Sequence, residues 1–449
     1  MKNMEENELF KKRLLFSLMA VLLVLSGCAG FQTGKENEVA AEADAEGKVV
    51  VDFWTFWGSE IRRPVIEKIV EDFNKSQDEI VVKHTFVPWG DIWTKELAAI
   101  AAGDPPDVVI NDINATALRG QKKQAMNLSE FLEKDDISAR FYPELWEATL
   151  YEGDSYGIPF NTDTRILYYN KDAFEEVGLN PEQPPKTWDE LKEYAAKLDK
   201  KNGDTYERLG FYPLFGVNYD VWMLNGSGHN FVSPEGEVQI DTETNLETLN
   251  WLLEWKNHYG ENVVNSVKSQ IDSQQANPFF TGKLAMFVNT PTFYTQIRDY
   301  APDLNFGVAM LPEKEEGSGH TSWGGGFVAE IPEGSSHPEE AWEFIKHLTD
   351  KEAQEYWAVK NYDNVANTEA AEAAAKSPDM PEKDQVVYQT AVDNMQNTLL
   401  TPFPLAAPDF PTLLNPEIDN VLLGKKTPEQ ALKDAQAAVE QLVEENKSK

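Results

Sequence analysis

Short apolar runs alternate with longer stretches of helical period from residue 49 onward. The run VVVDFWTFW at 49–57 is β-branched and aromatic, which is typical of a buried strand. In the next stretch, 62–77, apolar side chains recur at the spacing of one helical face, and Pro64 lies near its first turn. The alternation repeats through 79–112, so the pattern predicts strands and helices in turn, as in an open α/β sheet.

The predicted strands of this region end in aromatic, carboxylate and amide side chains. The first ends at 57–60 (WGSE), the second at 87–89 (VPW) and the third at 111–112 (ND). Ligands of open α/β sheets bind beyond the carboxyl ends of the strands. The sequence therefore predicts a binding cleft at this edge of the sheet.

Later segments repeat the pattern of strands and helices, and the patterned chain is longer than one hydrophobic core can accommodate. A strand is predicted around 166–169, a capping box at 187–190 precedes a helix, and further strands are predicted within 280–289 and 324–332. A last helix is capped at Thr427. A chain of 449 residues is too long for one ordinary core, so two lobes are expected.

The N-terminal segment has the composition of an export signal. A basic cluster at 11–13 precedes the apolar run 14–25, which is too short to span a bilayer because a spanning helix needs about 20 residues. Cys28, the only cysteine, closes the sequence LSGC, which resembles the bacterial lipobox. The resemblance implies a signal peptide at 1–27 and lipid on the sulfur and amino group of Cys28. The small, polar and acidic stretch 28–48 is expected to be a flexible tether.

A large excess of carboxylates limits the partners of this protein. The chain carries 76 acidic and 40 basic residues, for a formal charge of −36. Such a surface repels phosphate backbones, so no nucleic-acid partner is expected. The single cysteine rules out an internal disulfide, and the scattered histidines predict no metal site and no cofactor.

Several motifs, in order, resemble those of the extracellular solute-binding proteins, family 1, which deliver sugars to ABC transporters. They are FWTFWG, AAGDPPDVV, YGIPFNTDTRILYYNKDAFEEVGL with PPKTWDEL, FFTGKLAMFVN, WGGGFVAEIPEGSSHPEEAWEFIKHLTD and GKKTPEQAL. They occur in the order that the family has, and from first to last they span nearly all of 49–440. The resemblance implies a monomeric, non-enzymatic sugar receptor, held by lipid on Cys28 at the outer face of the bacterial cell membrane beside its permease.

The resemblance also implies a fold: two α/β lobes of the periplasmic-binding-protein-like type II class, with a ligand cleft between them. By analogy, the first lobe is 49–160 plus 324–364, and the second is 161–323 plus 365–449. Closure of the lobes around a sugar would shift the population toward the form that the permease binds.

Aromatic rings and polar edges together suit a sugar, because a sugar ring has C–H faces and a rim of hydroxyls. In the first lobe, the position at strand ends favours Trp57 and Trp89 as stacking rings and Glu60 as a hydroxyl acceptor. Packed tryptophans and a solvated glutamate are the alternatives. Asp112 matches a position where family members often place a sugar-binding carboxylate.

The resemblance adds residues of the second lobe and of the crossings between lobes. It places Tyr219 and Trp222 on the cleft face of the second lobe, and Trp323, before three glycines, at a hinge. Asn161 and Asp163 lie at another expected crossing.

At that crossing, Asp163 falls where sugar-binding relatives often carry a carboxylate. The alternative is a hinge cap paired with Arg165.

Two other classes of protein remain open from the residues alone. A secreted glycosidase would also combine aromatic rings with carboxylates. A lipoprotein for another solute, such as a peptide, a polyamine or a metal, would carry the same export signal. No G-x-S-x-G or H-E-x-x-H motif occurs, and the sugar receptor is the main hypothesis because the family motifs occur in order.

Overall fold

The computed structural model describes residues 47–203, 205–271, 273 and 276–447. Cys28, the predicted signal peptide and most of the predicted tether lie outside these ranges. None of the helices within them combines the length and the hydropathy of a bilayer-spanning segment.

Strands and helices alternate along the described chain. The strands are β1 (Val49–Thr55), β2 (Ile80–Phe86), β3 (Val108–Asp112), β4 (Leu150–Tyr151), β5 (Asp154–Ser155), β6 (Ile158–Thr162), β7 (Ile166–Asn170), β8 (Lys200–Asn202), β9 (Thr205–Arg208), β10 (Met286–Asn289), β11 (Phe306–Met310), β12 (Ser322–Gly324), β13 (Gly326–Glu330), β14 (Asn364–Val365) and β15 (Thr398–Leu400). The helices are α1 (Arg62–Ser76), α2 (Ile92–Ala102), α3 (Thr116–Gln121), α4 (Ser129–Lys134), α5 (Pro143–Glu147), α6 (Lys171–Glu176), α7 (Trp188–Leu198), α8 (Tyr219–Ser227), α9 (Glu243–Tyr259), α10 (Glu261–Ile271), α11 (Tyr294–Tyr300), α12 (Pro338–Leu348), α13 (Lys351–Asn361), α14 (Thr368–Ala374), α15 (Glu382–Asn394), α16 (Pro411–Leu422) and α17 (Pro428–Lys447).

The predicted alternation of the N-terminal region is confirmed. β1, β2 and β3 lie within the three predicted strand regions, with α1 and α2 between them. α1 buries the apolar residues of its helical period, from Val65 to Phe73. α2 ends at Gly103, whose φ of 78° is left-handed and whose N–H caps the carbonyl of Ile100.

A six-stranded sheet in the order β14-β6-β13-β3-β1-β2 forms the first lobe. β1 lies between its parallel partners β2 and β3, whereas β13 is antiparallel to both β3 and β6. Helices cover the sheet, and Ile66, Phe344 and Trp357 pack into its core. The three parallel strands bring their carboxyl ends to one edge, which is where the sequence predicts the cleft.

A smaller sheet in the order β10-β7-β11 forms the second lobe. Both pairs are antiparallel, and all five residues of β7 are buried. Trp188, Leu252 and Leu432 belong to the separate core around this sheet. Two sheets with two cores confirm the expected two-lobed α/β architecture.

The first lobe extends further along the chain than predicted. Val365, Ala370 and Met380 pack into the first core, although the predicted boundary follows residue 364. The reason is local: β14 pairs with β6 of the first sheet, and α14 comes directly after it. The first core therefore continues past the predicted boundary after residue 364, and Tyr388 of α15 still packs into it.

A buried polar network joins the segments that pass between the lobes. Thr164 Oγ1 lies 2.9 Å from Ser322 Oγ and 2.6 Å from Thr398 Oγ1. Asn394 Nδ2 donates to Thr164 Oγ1 at 2.9 Å, and the backbone N–H of Arg165 donates to Ser322 Oγ at 2.9 Å. Because these groups are buried, each hydrogen bond satisfies a donor or acceptor that would be costly to leave unpaired.

A second buried network holds two carboxylates against one guanidinium under the end of β3. Arg119 Nε donates to Glu330 Oε2 at 2.6 Å, and its Nη2 pairs with Glu96. Asn111 Nδ2 donates to Glu330 Oε2 at 2.8 Å. Burial raises the pKa of Glu96 to about 7 and raises the pKa of Glu330 as well. The folded protein therefore favours a proton on this pair.

This network predicts that stability falls as the pH rises. The pKa of Glu96 is higher in the folded than in the unfolded state, so its contribution is full at acidic pH and is lost as the pH rises through about 7. The free energy of unfolding should fall by up to about 1.4 kcal/mol per pH unit through this one proton. Glu96→Gln should flatten the dependence, measured as urea midpoints between about pH 4.5 and 8, because the slope lies between the ordinary pKa of a glutamate and the folded value of about 7.

The exposed Glu235 offers a matched control. Glu235→Gln also removes one carboxylate and should leave the slope unchanged. Parallel slopes for the wild type and Glu96→Gln would show that the buried carboxylates do not share a proton near neutral pH.

Candidate functional site

A cavity of about 280 Å³ lies where residues of both lobes meet. The first lobe contributes Asp112 and Asn114 from the end of β3, and the second lobe contributes Tyr219 and Asp220 from the start of α8. Trp323 of β12 lies between them. We call this space the inner cavity.

A second, polar cavity of about 440 Å³ adjoins the inner cavity. Asp220 and Trp323 line both. Arg165 and Lys268 line only the polar one, together with the loop 214–218. The two spaces form one cleft with a shared wall, so the structure brings three predicted site residues together: Asp112, Tyr219 and Trp323.

Trp323 is fixed at the centre of this cleft. Its indole Nε1 donates to Thr401 Oγ1 at 3.1 Å, and the guanidinium of Arg165 lies 4.4 Å from its ring centroid. Gly324 follows, where a Cβ would lie 2.3 Å from the methyl group of Thr398 and 2.7 Å from the carbonyl of Asp163. Close packing at this glycine holds the Trp323 backbone against the hinge.

The side chain of Asp163 interacts with other residues of the hinge. Its Oδ1 accepts the N–H of Gly325 at 2.8 Å and lies 3.1 Å from Arg165 Nη1. Arg165 Nη1 also donates to the carbonyl of Thr164 at 3.1 Å. This geometry is the hinge cap that the sequence left open as the alternative to ligand contact.

Asn161 lines neither cavity. Its Nδ2 donates to Asp363 Oδ2 at 2.9 Å, and its Oδ1 accepts the N–H of Phe327 at 3.0 Å. With its side chain buried and both polar atoms used, Asn161 holds β6 in place, so the prediction of ligand contact is wrong for it.

Asp112 provides a carboxylate at the first-lobe wall. Its Oδ1 accepts the N–H of Asn114 at 2.9 Å and caps a single turn after β3. Burial raises the pKa of Asp112, the hydrogen bond from Asn114 opposes the shift, and the negative charge of Asp163 adds to it. A carboxylate with one oxygen anchored is well placed to accept a hydroxyl with the other.

Asn114 is a cleft residue that the sequence reasoning missed. It is 8% exposed, lines the inner cavity, and its Oδ1 has no hydrogen-bond partner. Its main chain donates to Asp112 and accepts the N–H of Phe403 at 2.8 Å. A buried carbonyl oxygen without a donor costs free energy, so a ligand hydroxyl in the cavity would satisfy it. The sequence feature that could have pointed to Asn114 is its position two residues after Asp112, the predicted carboxylate.

The start of α8 provides the opposite wall. Tyr219 donates its hydroxyl to Asn415 Oδ1 at 2.6 Å, and burial raises the pKa of Tyr219. Asp220 was also missed by the sequence reasoning. Burial raises the pKa of Asp220, while the N–H of Val221 and the charge of Arg165 oppose that shift. Asp112 and Asp220 thus offer carboxylates from opposite lobes to one cavity.

Two predicted stacking rings lie in the hydrophobic cores instead of the cleft. Trp57 is 2% exposed, and its ring centroid lies 4.3 Å from that of Trp357. Trp222 is fully buried, with its Nε1 donating to the carbonyl of Pro213 and its ring 5.1 Å from Trp251. Packing closes both faces of these rings, so the predicted ligand contacts of Trp57 and Trp222 are wrong.

Two further predicted residues lie at the same sheet edge but outside both cavities. Trp89 is 52% exposed and packs against Phe56 at 4.6 Å between ring centroids. Glu60 is exposed in the turn before α1. Their roles in ligand binding stay predictions. No cluster of three or more His, Cys, Asp or Glu in the described part of the chain is arranged to hold a metal ion.

The sequence matches the family model described as bacterial extracellular solute-binding protein over residues 57–355, more than half of the chain. A binding protein of Brucella abortus (strain 2308) is 26% identical over 392 residues, covering 85% of this chain and 90% of the relative. The arabinooligosaccharide-binding protein of Bacillus subtilis (strain 168) is 24% identical, covering 77% and 78%. The sn-glycerol-3-phosphate-binding periplasmic protein of Escherichia coli (strain K12) is 25% identical, covering 88% and 93%.

Solved structures agree with the fold described above. CpMnBP1 with mannotriose bound is 30% identical, with a TM-score of 0.74, and the match covers 87% of this chain and 100% of that one. The sugar-binding protein MalE of Xanthomonas citri is 21% identical, with a TM-score of 0.75 and coverage of 89% and 98%. The expected two-lobed periplasmic-binding-protein-like fold is confirmed.

The hinge geometry predicts a stabilising role for Arg165. Arg165→Met removes the ion pair to Asp163 and should lower the free energy of unfolding by about 1–3 kcal/mol, measured by urea denaturation. Arg63→Met is the control, because Arg63 pairs with Glu67 on the exposed face of α1. That pair is worth about 0.5 kcal/mol or less. Equal losses in the two variants would contradict a specific role for Arg165.

Proposed function

The chain belongs to the bacterial extracellular solute-binding protein family, and from this premise we propose that it captures a sugar or oligosaccharide in the cleft and delivers it to the permease of an ABC importer. The observation that carries the proposal is the inner cavity, where the Trp323 ring lies among carboxylates of both lobes. Aromatic faces and ionised acceptors are the two groups that sugar rings require.

Oligosaccharides of mannose are the ligand class we propose first. The support is CpMnBP1, which is 30% identical over its whole length and whose structures contain mannotriose or mannobiose. Carboxylates from two directions suit a hexose because its hydroxyls lie around the whole rim of the ring. The relatives are binding proteins, which favours a non-enzymatic role for this chain.

Transport would follow from the position of the polar groups on opposite lobes. A sugar held by Asp112 of the first lobe and Asp220 of the second gains contacts from both only when the lobes approach. Such a ligand favours the closed state by its differential affinity. Trp323 would provide a fixed platform, because the hinge holds it from several sides.

A sugar ligand should raise the melting temperature of the purified protein. The wild type is expected to gain about 2.7 kcal/mol of stability at a ligand concentration one hundred times the Kd. Trp323→Ala should weaken the binding of mannotriose by about 1–3 kcal/mol in calorimetric titration, because a stacking face is lost. Trp323→Phe should retain most of the affinity.

Trp146→Ala, which removes a half-buried tryptophan of α5, is the control for a general loss of packing. Unchanged affinity in Trp323→Ala would exclude the platform role. Release of reducing ends from mannotriose by the pure protein would instead support the glycosidase alternative.

A phosphorylated polyol is the second candidate. Relatives of 25–26% identity bind sn-glycerol 3-phosphate, and Arg165 and Lys268 line the polar cavity of this chain. Asp163 and Asp220 offset the charge of Arg165, which makes the neutral sugar the stronger hypothesis. Titration with sn-glycerol 3-phosphate separates the two candidates, because only the phosphate ester should lose affinity as salt increases.

We further propose that lipid on Cys28 retains the protein at the outer face of the cell membrane. Support comes from the LSGC sequence after an apolar run. Cys28→Ala should release the protein into the soluble fraction, while mannotriose binding in solution stays unchanged. Cys28→Ser is the conservative companion, since it keeps the size of the side chain but has no thiol to acylate. Membrane retention of either variant would contradict the anchor.

A further inference from the structure

An exposed aromatic surface lies at the carboxyl ends of β1 and β2, outside both cavities. We define the aromatic surface as Phe56, Phe86, Trp89, Trp93 and Phe327. Trp89 is 52% exposed and Phe86 is 42% exposed. The ring centroid of Phe56 lies 4.6 Å from that of Trp89 and 4.8 Å from that of Phe327. The rings of Phe56, Trp89, Trp93 and Phe327 contact one another, and Phe86 packs against Gly58 at the same strand ends. Contiguous exposed apolar patches mark interaction sites or ligand-binding grooves.

This surface continues directly from the inner cavity. Phe327 of β13 stands opposite Asp112 of β3 in the antiparallel register. Residues directly opposite in such a pair share one face of the sheet, with Cβ atoms about 4.5–5.5 Å apart. The Trp89 ring follows, 5.6 Å from Phe327. A row therefore leads from the carboxylate of Asp112 to the exposed ring of Trp89.

The inner cavity is closed on another side by a segment of the chain itself. We call residues 401–411, TPFPLAAPDFP, the proline strap, since four of its eleven residues are proline. The N–H of Phe403 donates to the carbonyl of Asn114 in the first lobe at 2.8 Å.

Further along, the strap is held by the second lobe. The carbonyl of Ala406 accepts Asn446 Nδ2 at 3.0 Å, and the Phe410 ring lies 6.3 Å from that of Phe231. A segment fixed to both walls spans the gap between them. Its prolines restrict φ, so this wall is stiff.

We propose that the cleft binds an oligosaccharide by one end, with the terminal unit in the inner cavity against the proline strap and the following units over the aromatic surface. The inference rests on the proposed function and adds that sugars of three or more units gain contacts that shorter sugars lack. The inner groups, Asp112, Asp220 and the unpaired Oδ1 of Asn114, read the hydroxyls of the terminal unit. The outer rings add stacking contacts, which depend little on the pattern of hydroxyls.

Affinity as a function of chain length tests the outer part of this arrangement. Calorimetric titrations would use mannose, mannobiose, mannotriose and mannotetraose. Trp89→Ala should lower the affinity for mannotriose and mannotetraose by about tenfold, the scale of one lost aromatic contact, and leave the two shorter sugars within twofold. Asn114→Ala should lower the affinity for all four by a similar factor, because every one of them would occupy the inner cavity.

Leu423→Ala is the matched control, since Leu423 is 57% exposed and lies at the far end of α16. Equal losses at every length in Trp89→Ala, or none at any length, would overturn the outer role of the aromatic surface. If the wild type binds none of the four sugars, the proposed function fails first, and the inference with it.

Ligands labelled at one end test the inner part. Mannotetraose would carry a bulky fluorophore either at its reducing end or at its non-reducing end. End-on binding against a stiff wall predicts that only one of the two labelled sugars binds within threefold of the unlabelled one. Equal affinity for both labelled sugars, or loss of both, would overturn the proposal. Neither outcome is compatible with a cleft that is closed at the proline strap and open at the aromatic surface.

Discussion

The hydrogen-bonded hinge around Thr164, Arg165 and Ser322 is the constraint on which the rest of the structure depends. Here the chain passes from the sheet of the first lobe to that of the second, and the side chains of Ser322, Asn394 and Thr398 are buried around Thr164 Oγ1. An unpaired donor at this depth would cost on the order of 1–3 kcal/mol. The network therefore fixes how β6, β12 and β15 lie relative to one another.

The cleft inherits its geometry from that hinge. Trp323 belongs to β12, and its two ring contacts, Arg165 and Thr401, come from the neighbouring crossing segments. Because the ring is held by the hinge, a ligand need not order it on binding, and little conformational entropy is lost there. The polar groups that face it come from different lobes, so their spacing changes as the lobes move.

Three polar groups of Asn114 have separate roles at the first-lobe wall of the inner cavity. Its N–H orients the carboxylate of Asp112, its carbonyl holds the proline strap, and its side-chain oxygen is left for the cavity. The buried carboxylates of Glu96 and Glu330 lie beneath the same loop and tie β3 to α2 and β13 through Asn111. Because the residues that provide the polar groups of the cavity are anchored in this way, the site is preorganised before a ligand binds.

The sequence by itself determined the strands and helices of the first lobe, the two-lobed α/β class, and the edge of the sheet at which a cleft forms. These follow from local periodicity and from the rule that parallel strands end at one edge. It also predicted Asp112, Tyr219 and Trp323 as site residues, and these three line the inner cavity. It could not separate Trp57 and Trp222 from Trp89, because a tryptophan at a strand end or on a helix has the same local pattern whether its ring packs inward or faces solvent.

Only the tertiary structure decided those orientations. The rings of Trp357 and Trp251 close off Trp57 and Trp222, and both partners are distant in the chain. Asp220, Asn114 and the proline strap became site elements through contacts between lobes, for which a local pattern holds no signal. The first lobe extends past residue 364 for the same reason, since the pairing of β14 with β6 is a long-range contact. Local sequence fixes which residues form an element, whereas packing between distant elements fixes which of their side chains remain free to bind.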